Sequence, residues 1–175
     1  APGSSAELEE DRLIRGLHPL VAQRLGFSRL VNFDLTRLPA DHGVYLYRAT
    51  GKTNADDERV IALAEIRDVH PLRDASGRVL AVPTVERVLT SCVQGIRSVQ
   101  ARRPAGRRLD RNRIVLAVSP TAVVPLDELD TVTRGLVPMT AGAGLEEVLV
   151  VGRFQDGPDG EEREAAVMIS YTHGV

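Results

Sequence analysis

Two consecutive apolar runs, Ile114-Val115-Leu116-Ala117-Val118 and Val148-Leu149-Val150-Val151, constrain this chain more than any other feature. Each is short and rich in β-branched residues, as a strand in the middle of a sheet would be. Between them, from Pro125 to about Val137, apolar residues recur at helical spacing behind a proline start, with Asp127, Glu128 and Asp130 in the first turns. Acids placed there favour the helix dipole. The stretch from Arg113 to Arg153 therefore reads as a strand–helix–strand unit, with Thr140 to Gly144 as a small-residue linker into the second strand.

The flanking chain extends this pattern. Ser4 and Glu7 have capping-box spacing, and Leu13, Ile14, Leu17, Val21 and Leu25 follow at helical intervals. Gly16 and Pro19 interrupt them, which predicts a kinked helix or two short ones. Asn32 to Thr36, Val44 to Tyr47 and Arg59 to Ile66 read as strands, the last two as a hairpin around a polar loop from Gly51 to Glu58. Asp74 to Gly77 reads as a turn. Pro83 opens the longest helical pattern, with Val85, Val88, Leu89, Cys92, Val93, Ile96 and Val99 as one apolar stripe. Gly95 lies inside it at a cost of about 1 kcal/mol relative to Ala, for which close packing would account. Asp156 to Gly160 forms a turn leading to a last strand over Ala165 to Ile169.

The predicted architecture is an α/β sandwich. About six strands form one mixed sheet in the order βββαβαββ, with two long helices on one face and an N-terminal kinked helix. Residues 1–9 are expected to be a flexible tail and residues 10–175 a single α/β domain. The sheet face away from the long helices is left for the first helix or for a partner, and is the expected docking surface.

Composition narrows the function classes. Hydrophobic residues make up 43% but aromatics only 3%, so the core must be aliphatic. A net charge of −2 gives no global pull towards nucleic acid or membrane. No run approaches the ~18 apolar residues of a membrane span, and Ala1 to Glu10 is small and acidic, unlike a signal peptide. Cys92 is the only cysteine, which excludes an internal disulfide and fits a cytoplasmic location. Its place in an apolar stripe makes it a small core residue.

A search for chemistry finds no catalytic, cofactor-binding or metal-binding constellation. His18, His42, His70 and His173 lie far apart and form no ligand pair. Gly142-Ala143-Gly144 is too short for a dinucleotide fingerprint. Ser119 precedes Pro120 and lacks the glycines of a nucleophile elbow. Glu65 and Asp68 are strand-end carboxylates of the kind that solvent usually satisfies. The arginine run holds six arginines, Arg102, Arg103, Arg107, Arg108, Arg111 and Arg113, in twelve residues. It reads first as a solvated connector, because no aromatic residue is interleaved for base stacking. Its alternative use is a phosphate or coenzyme A contact through Arg102, Arg103, Arg107 and Arg108.

Several stretches together resemble the central region of multidomain acetyl-CoA carboxylases and related fused acyl-CoA carboxylases. They are Leu17-His18-Pro19-Leu20-Val21-Ala22-Gln23-Arg24-Leu25, Arg29 to Leu35, Val44-Tyr45-Leu46-Tyr47 with Gly51-Lys52, and Asp57-Glu58-Arg59-Val60 leading to Ile66-Arg67. Asn112-Arg113-Ile114-Val115-Leu116 with Pro120 is similar to that family's "Asn-His-Ile-Phe-Leu" strand. The likeness runs from about Glu10 to Tyr171, and the family is said to carry a six-stranded sheet with two inserted long helices.

This resemblance implies a non-catalytic scaffold, an excised segment of a larger polypeptide. The parent would be a biotin-dependent acyl-CoA carboxylase (a ligase) making malonyl-CoA-type products, using biotin, ATP and Mg held elsewhere. The segment's partners would be the biotin carboxylase, biotin carrier and carboxyltransferase domains of the same chain, in a homo-oligomeric parent. The absence of a Met-Lys-Met biotinylation site agrees with that division of labour, since Lys52 is the only lysine. Thr140 to Leu145 and Arg102 to Arg111 depart from the eukaryotic pattern, which suits a bacterial, actinobacterial-type enzyme. A small-ligand or coenzyme A-binding module built on the Arg102–Arg113 loop is the alternative.

Overall fold

In the computed structural model, which describes residues 30–38, 43–53, 58–67, 82–119, 121–157 and 159–171, the two apolar runs lie side by side. Among the described residues seven strands are formed: β1 (Leu30–Leu38), β2 (Val44–Thr53), β3 (Glu58–Ile66), β4 (Asn112–Val118), β5 (Val123–Pro125), β6 (Leu145–Gln155) and β7 (Glu162–Ser170). The helices are α1 (Val82–Ala101), α2 (Leu126–Gly135) and α3 (Val137–Ala143), with a short 3-10 turn at Ala105–Arg107. The N-terminal tail and helix, the turn at Asp74, Asp68 and all four histidines lie outside the described residues.

Strands β1, β2 and β3 form an antiparallel meander, and β3, β4 and β6 are parallel. β7 returns antiparallel along β6 as the anticipated hairpin. β6 receives β4 against Leu145 to Val151 and β5 against Arg153 to Gln155, while β7 takes its other edge throughout. β5 thus continues the line of β4 after a break, so seven strands fill the six positions that the apolar pattern predicts. The break is a local turn: Ser119 Oγ lies 2.9 Å from Thr121 Oγ1, and the Ala122 amide donates to the Ser119 carbonyl at 3.2 Å.

Chain order and hand fix the helices. Strands β3, β4 and β6 step across the sheet in one direction, so right-handed crossovers place α1 and then α2 and α3 on the same face. The core agrees. Val60, Ala62, Ala64, Ile66, Ile114, Leu116, Val118, Val148 and Val150 alternate onto that face and form one cluster with the helices. Six of the seven stripe residues of α1, from Val85 to Ile96, are buried there, and Val99 is half-buried. Ala62 and Ala64 keep the strand beneath low.

Several expectations need correction. First, the supposed linker is helical: α2 stops at Gly135, and α3 runs from Val137 through Thr140 to Ala143. Pro138 breaks the hydrogen-bond ladder between them, and Thr140 Oγ1 donates back to the Val137 carbonyl at 2.9 Å. β2 likewise continues through Gly51 to Thr53, where a loop was expected. Second, a Cβ on Gly95 would meet nothing within 4 Å, so close packing does not explain that glycine.

The third correction concerns the far sheet face. Ile61, Leu63, Val115 and Leu149 alternate onto it, and none exceeds 3% exposure within the single chain. That face is a second buried layer over the central strands and offers no open docking surface there. Among the described residues it opens towards β7, at Met168, which is 43% exposed.

Tyr171 ties the edge strand to the helical layer by donating its hydroxyl to the Thr133 carbonyl at 2.8 Å. Burial pushes its phenol up to about 12. An unfolded tyrosine ionises near 10, so between about pH 10 and 12 the folded chain holds a proton that the unfolded chain has lost. Stability is therefore complete below about pH 10 and declines as pH rises through that window. Urea melts at about pH 9 and about pH 11 should show this decline, and Tyr171→Phe should remove its share.

Candidate functional site

The arginine loop leaves the end of α1 and re-enters the sheet at β4. Its backbone continues the helix briefly, with the Arg102 amide donating to Val99 at 3.2 Å and the Arg103 amide to Gln100 at 3.1 Å. The loop is not uniform. Arg103 is committed: its guanidinium grips Glu58 at 2.9 and 3.4 Å, and its Nε donates to the Arg107 carbonyl at 2.8 Å. Arg113 points to the opposite face of the sheet and pairs with Glu147 at 3.1 Å. Arg102, Arg107 and Arg108 are exposed, with no acid paired to them among the described residues.

Beneath the loop lies a polar knot that sequence reasoning missed. Asn112 is fully buried and Gln100 is 3% exposed. Asn112 Oδ1 accepts from the Val60 amide at 2.8 Å, and its Nδ2 donates to Ala143 at 2.7 Å and Leu109 at 3.2 Å. Gln100 Oε1 accepts the Leu109 amide at 2.9 Å, while its Nε2 donates to the carbonyls of Ala143 and Leu109. Two amide side chains thus join the ends of α1 and α3 and the starts of β3 and β4. The signal for Gln100 was available: it is a polar residue two turns beyond Val93 on the inner side of α1, yet it follows the last apolar position and reads as solvent-facing.

Close above the knot, Gly144 ends α3 with φ +60 and hands its carbonyl to the Asn112 amide at 3.0 Å. The glycine-rich Gly142-Ala143-Gly144 is therefore a helix cap and not a phosphate cradle.

The remaining candidates are structural too. Glu65 pairs with Arg67 at 3.0 Å, and that guanidinium lies 4.1 Å from the Tyr45 ring centroid. Ser119 bonds Thr121. Burial pushes the Cys92 thiol up to about 12, which keeps it un-ionised and unreactive. Among the described residues no group of three or more His, Cys, Asp or Glu could hold a metal ion. No helix among them is long and apolar enough to cross a membrane.

The two kinds of loop arginine should separate by stability. Arg103→Ala loses a half-buried ion pair and a backbone hydrogen bond, and should cost about 1–2 kcal/mol. Arg107→Ala and Arg108→Ala should stay within about 0.5 kcal/mol of the parent in denaturant melts.

The family model of the acetyl-CoA carboxylase central region matches residues 3–144. Acetyl-CoA carboxylase of Schizosaccharomyces pombe is 33% identical over 89 residues, which is 50% of this chain and 4% of that protein. The crystal structure of the central domain of yeast acetyl-CoA carboxylase has the same fold at a TM-score of 0.52 and 14% identity, over 89% of this chain and 23% of that one. This chain therefore spans a small part of its relatives' length, and it belongs to the family of acetyl-CoA carboxylase central regions.

Proposed function

We propose that this segment is a non-catalytic scaffold that positions the catalytic and carrier domains of a biotin-dependent acyl-CoA carboxylase. The observation that carries this reading is the family match over residues 3–144. The side chains add support: among the described residues, the buried amides of Asn112 and Gln100 and the pairs Arg103–Glu58 and Arg113–Glu147 are spent on the fold. Such a domain contributes by fixing distance and orientation. In the parent, ATP-dependent carboxylation of biotin and transfer to an acyl-CoA would take place on other domains, in the cytoplasm and in a homo-oligomer.

The test separates the half-reactions. In the full-length polypeptide, replacing this segment with a flexible linker should leave biotin carboxylation and carboxyl transfer to free biotin derivatives intact. Overall carboxylation should fall about a hundredfold, because misplacing reacting groups by small distances costs that much. A reading frame without biotin carboxylase and carboxyltransferase domains would refute the proposal. So would micromolar binding of an acyl-CoA to this chain that Arg107→Ala/Arg108→Ala abolishes, which would establish the ligand-binding alternative.

A further inference from the structure

Strand β7 is the last of its sheet: among the described residues it pairs with β6 alone, while β6 is paired on both sides. Its outer edge therefore presents backbone amides and carbonyls to a further strand. Its register with β6 runs from Glu162 to Ser170 without a shift, and those nine residues include no proline and no lysine. Proteins usually blunt an edge with such residues or with a bulge. β1, at the opposite edge, has an irregularity of that kind, its register with β2 shifting between Val31 and Asp34. The side chains mark the β7 edge too. Ala165, Ala166, Val167 and Ile169 are half-buried and Met168 is 43% exposed, although their partners on β6, Val148 to Gly152, are all buried.

The block Ala165-Ala166-Val167-Met168-Ile169 is complementary to itself. In an antiparallel pair centred on Val167, Ala165 faces Ile169, Ala166 faces Met168 and Val167 faces Val167. Each bulky side chain then meets a small one, on both faces of the sheet. Glu164 faces Ser170, and no acid faces an acid. A centre at Ala166 would set Glu164 against Met168, and one at Met168 would set Ala166 against Ser170. Val167 packs on the helical face, and opposed residues share a face, so the helices of both copies would lie on one side of a continuous sheet.

We propose that β7 pairs antiparallel with β7 of a second copy of this chain, about a two-fold axis at Val167. Backbone hydrogen bonds supply the contact, and the small-against-large pairs set its register. The contact follows from this strand alone and does not depend on the scaffold reading.

The test is disulfide cross-linking of the full-length polypeptide under a mild oxidant, with linked peptides mapped by mass spectrometry. Directly opposed residues of an antiparallel pair have Cα atoms about 4.5–5.5 Å apart, within reach of a disulfide. Val167→Cys should therefore link to itself, which only two copies can do. Ala166→Cys and Met168→Cys face each other across copies, whereas like residues sit on the diagonal, about 7–8 Å apart. A mixture of these two variants should thus link about tenfold more than either alone. Adding Met168→Glu, which brings two new acids onto diagonals with each other and with Glu164 of the other copy, should lower the Val167→Cys link about tenfold. If Val167→Cys loses its native circular dichroism, the mixture decides alone. The proposal is overturned if Val167→Cys folds yet gives no link between copies, or if the mixture links no more than its components. It is overturned as well if Met168→Glu leaves the link unchanged, or if links run only to another domain of the polypeptide, which would put a strand of that domain on the edge. None of these outcomes bears on the linker replacement, which tests the scaffold reading separately.

Discussion

Asn112→Asp is expected to destabilise the chain more than Asn112→Ala does, although it changes far less volume. The alanine variant leaves the Val60 amide without an acceptor and takes one donor from Ala143 and Leu109, whose carbonyls keep Gln100. A buried donor left unpaired costs about 1–3 kcal/mol, and the vacated space adds to it, so about 2–4 kcal/mol is expected. The aspartate keeps the bond to Val60 but turns an acceptor towards two carbonyl oxygens in a site with no exposure. That buries an unpaired charge, for which about 3–5 kcal/mol is the scale.

The pH dependence identifies the cause. Burial and the facing carbonyls would raise the folded-state pKa of the new carboxyl above the unfolded value of about 4. The folded variant then holds its proton more tightly than the unfolded one. Its deficit relative to the parent is smallest below about pH 4 and grows as pH rises. Denaturant melts from about pH 3.5 to about pH 8 would show it. A deficit that does not change with pH would mean that shape, not charge, controls the site.

That site also shows where the sequence was legible and where it was not. The six strand positions, the span of α1 and both crossovers followed from apolar periodicity, because one face of each element must be buried. The second buried face was legible too. Ile114 to Val118 and Val148 to Val151 are unbroken apolar runs, which parallel strands show when both faces are covered, whereas a sheet with one open face would alternate. An open docking face contradicted that pattern, and burial of Leu63, Val115 and Leu149 resolves it. The knot was not legible. Gln100 and Asn112 are joined through Leu109 and Ala143, the latter 43 and 31 residues away, and periodicity carries no information at that range. The same holds for the arginines. Only the fold shows that Arg103 and Arg113 are held by Glu58 and Glu147 while Arg107 and Arg108 remain exposed.

Gly144 and Gly95 look alike in sequence as glycines at the end of, or within, helical segments, and alanine should move stability in opposite directions at the two. Gly95 lies on α1 with nothing within 4 Å of the added methyl. Alanine there removes the unfolded chain's extra freedom and should stabilise by about 0.5–1 kcal/mol. At Gly144 the backbone is left-handed, with φ +60. An L side chain in that conformation costs about 1 kcal/mol before any contact is counted. The added Cβ would also overlap the Leu109 carbonyl oxygen and come within 2.7 Å of Gln100 Nε2. The first neighbour is backbone, held by Asn112 and Gln100, so relief requires pulling the loop off the knot and breaking several buried hydrogen bonds together. A loss of about 4 kcal/mol is expected for Gly144→Ala. Truncating Gln100 to alanine in the same chain should recover little of it, because the carbonyl overlap persists. Near-full recovery in that double variant would show that the side chain, and not the Leu109 backbone, sets the requirement for glycine.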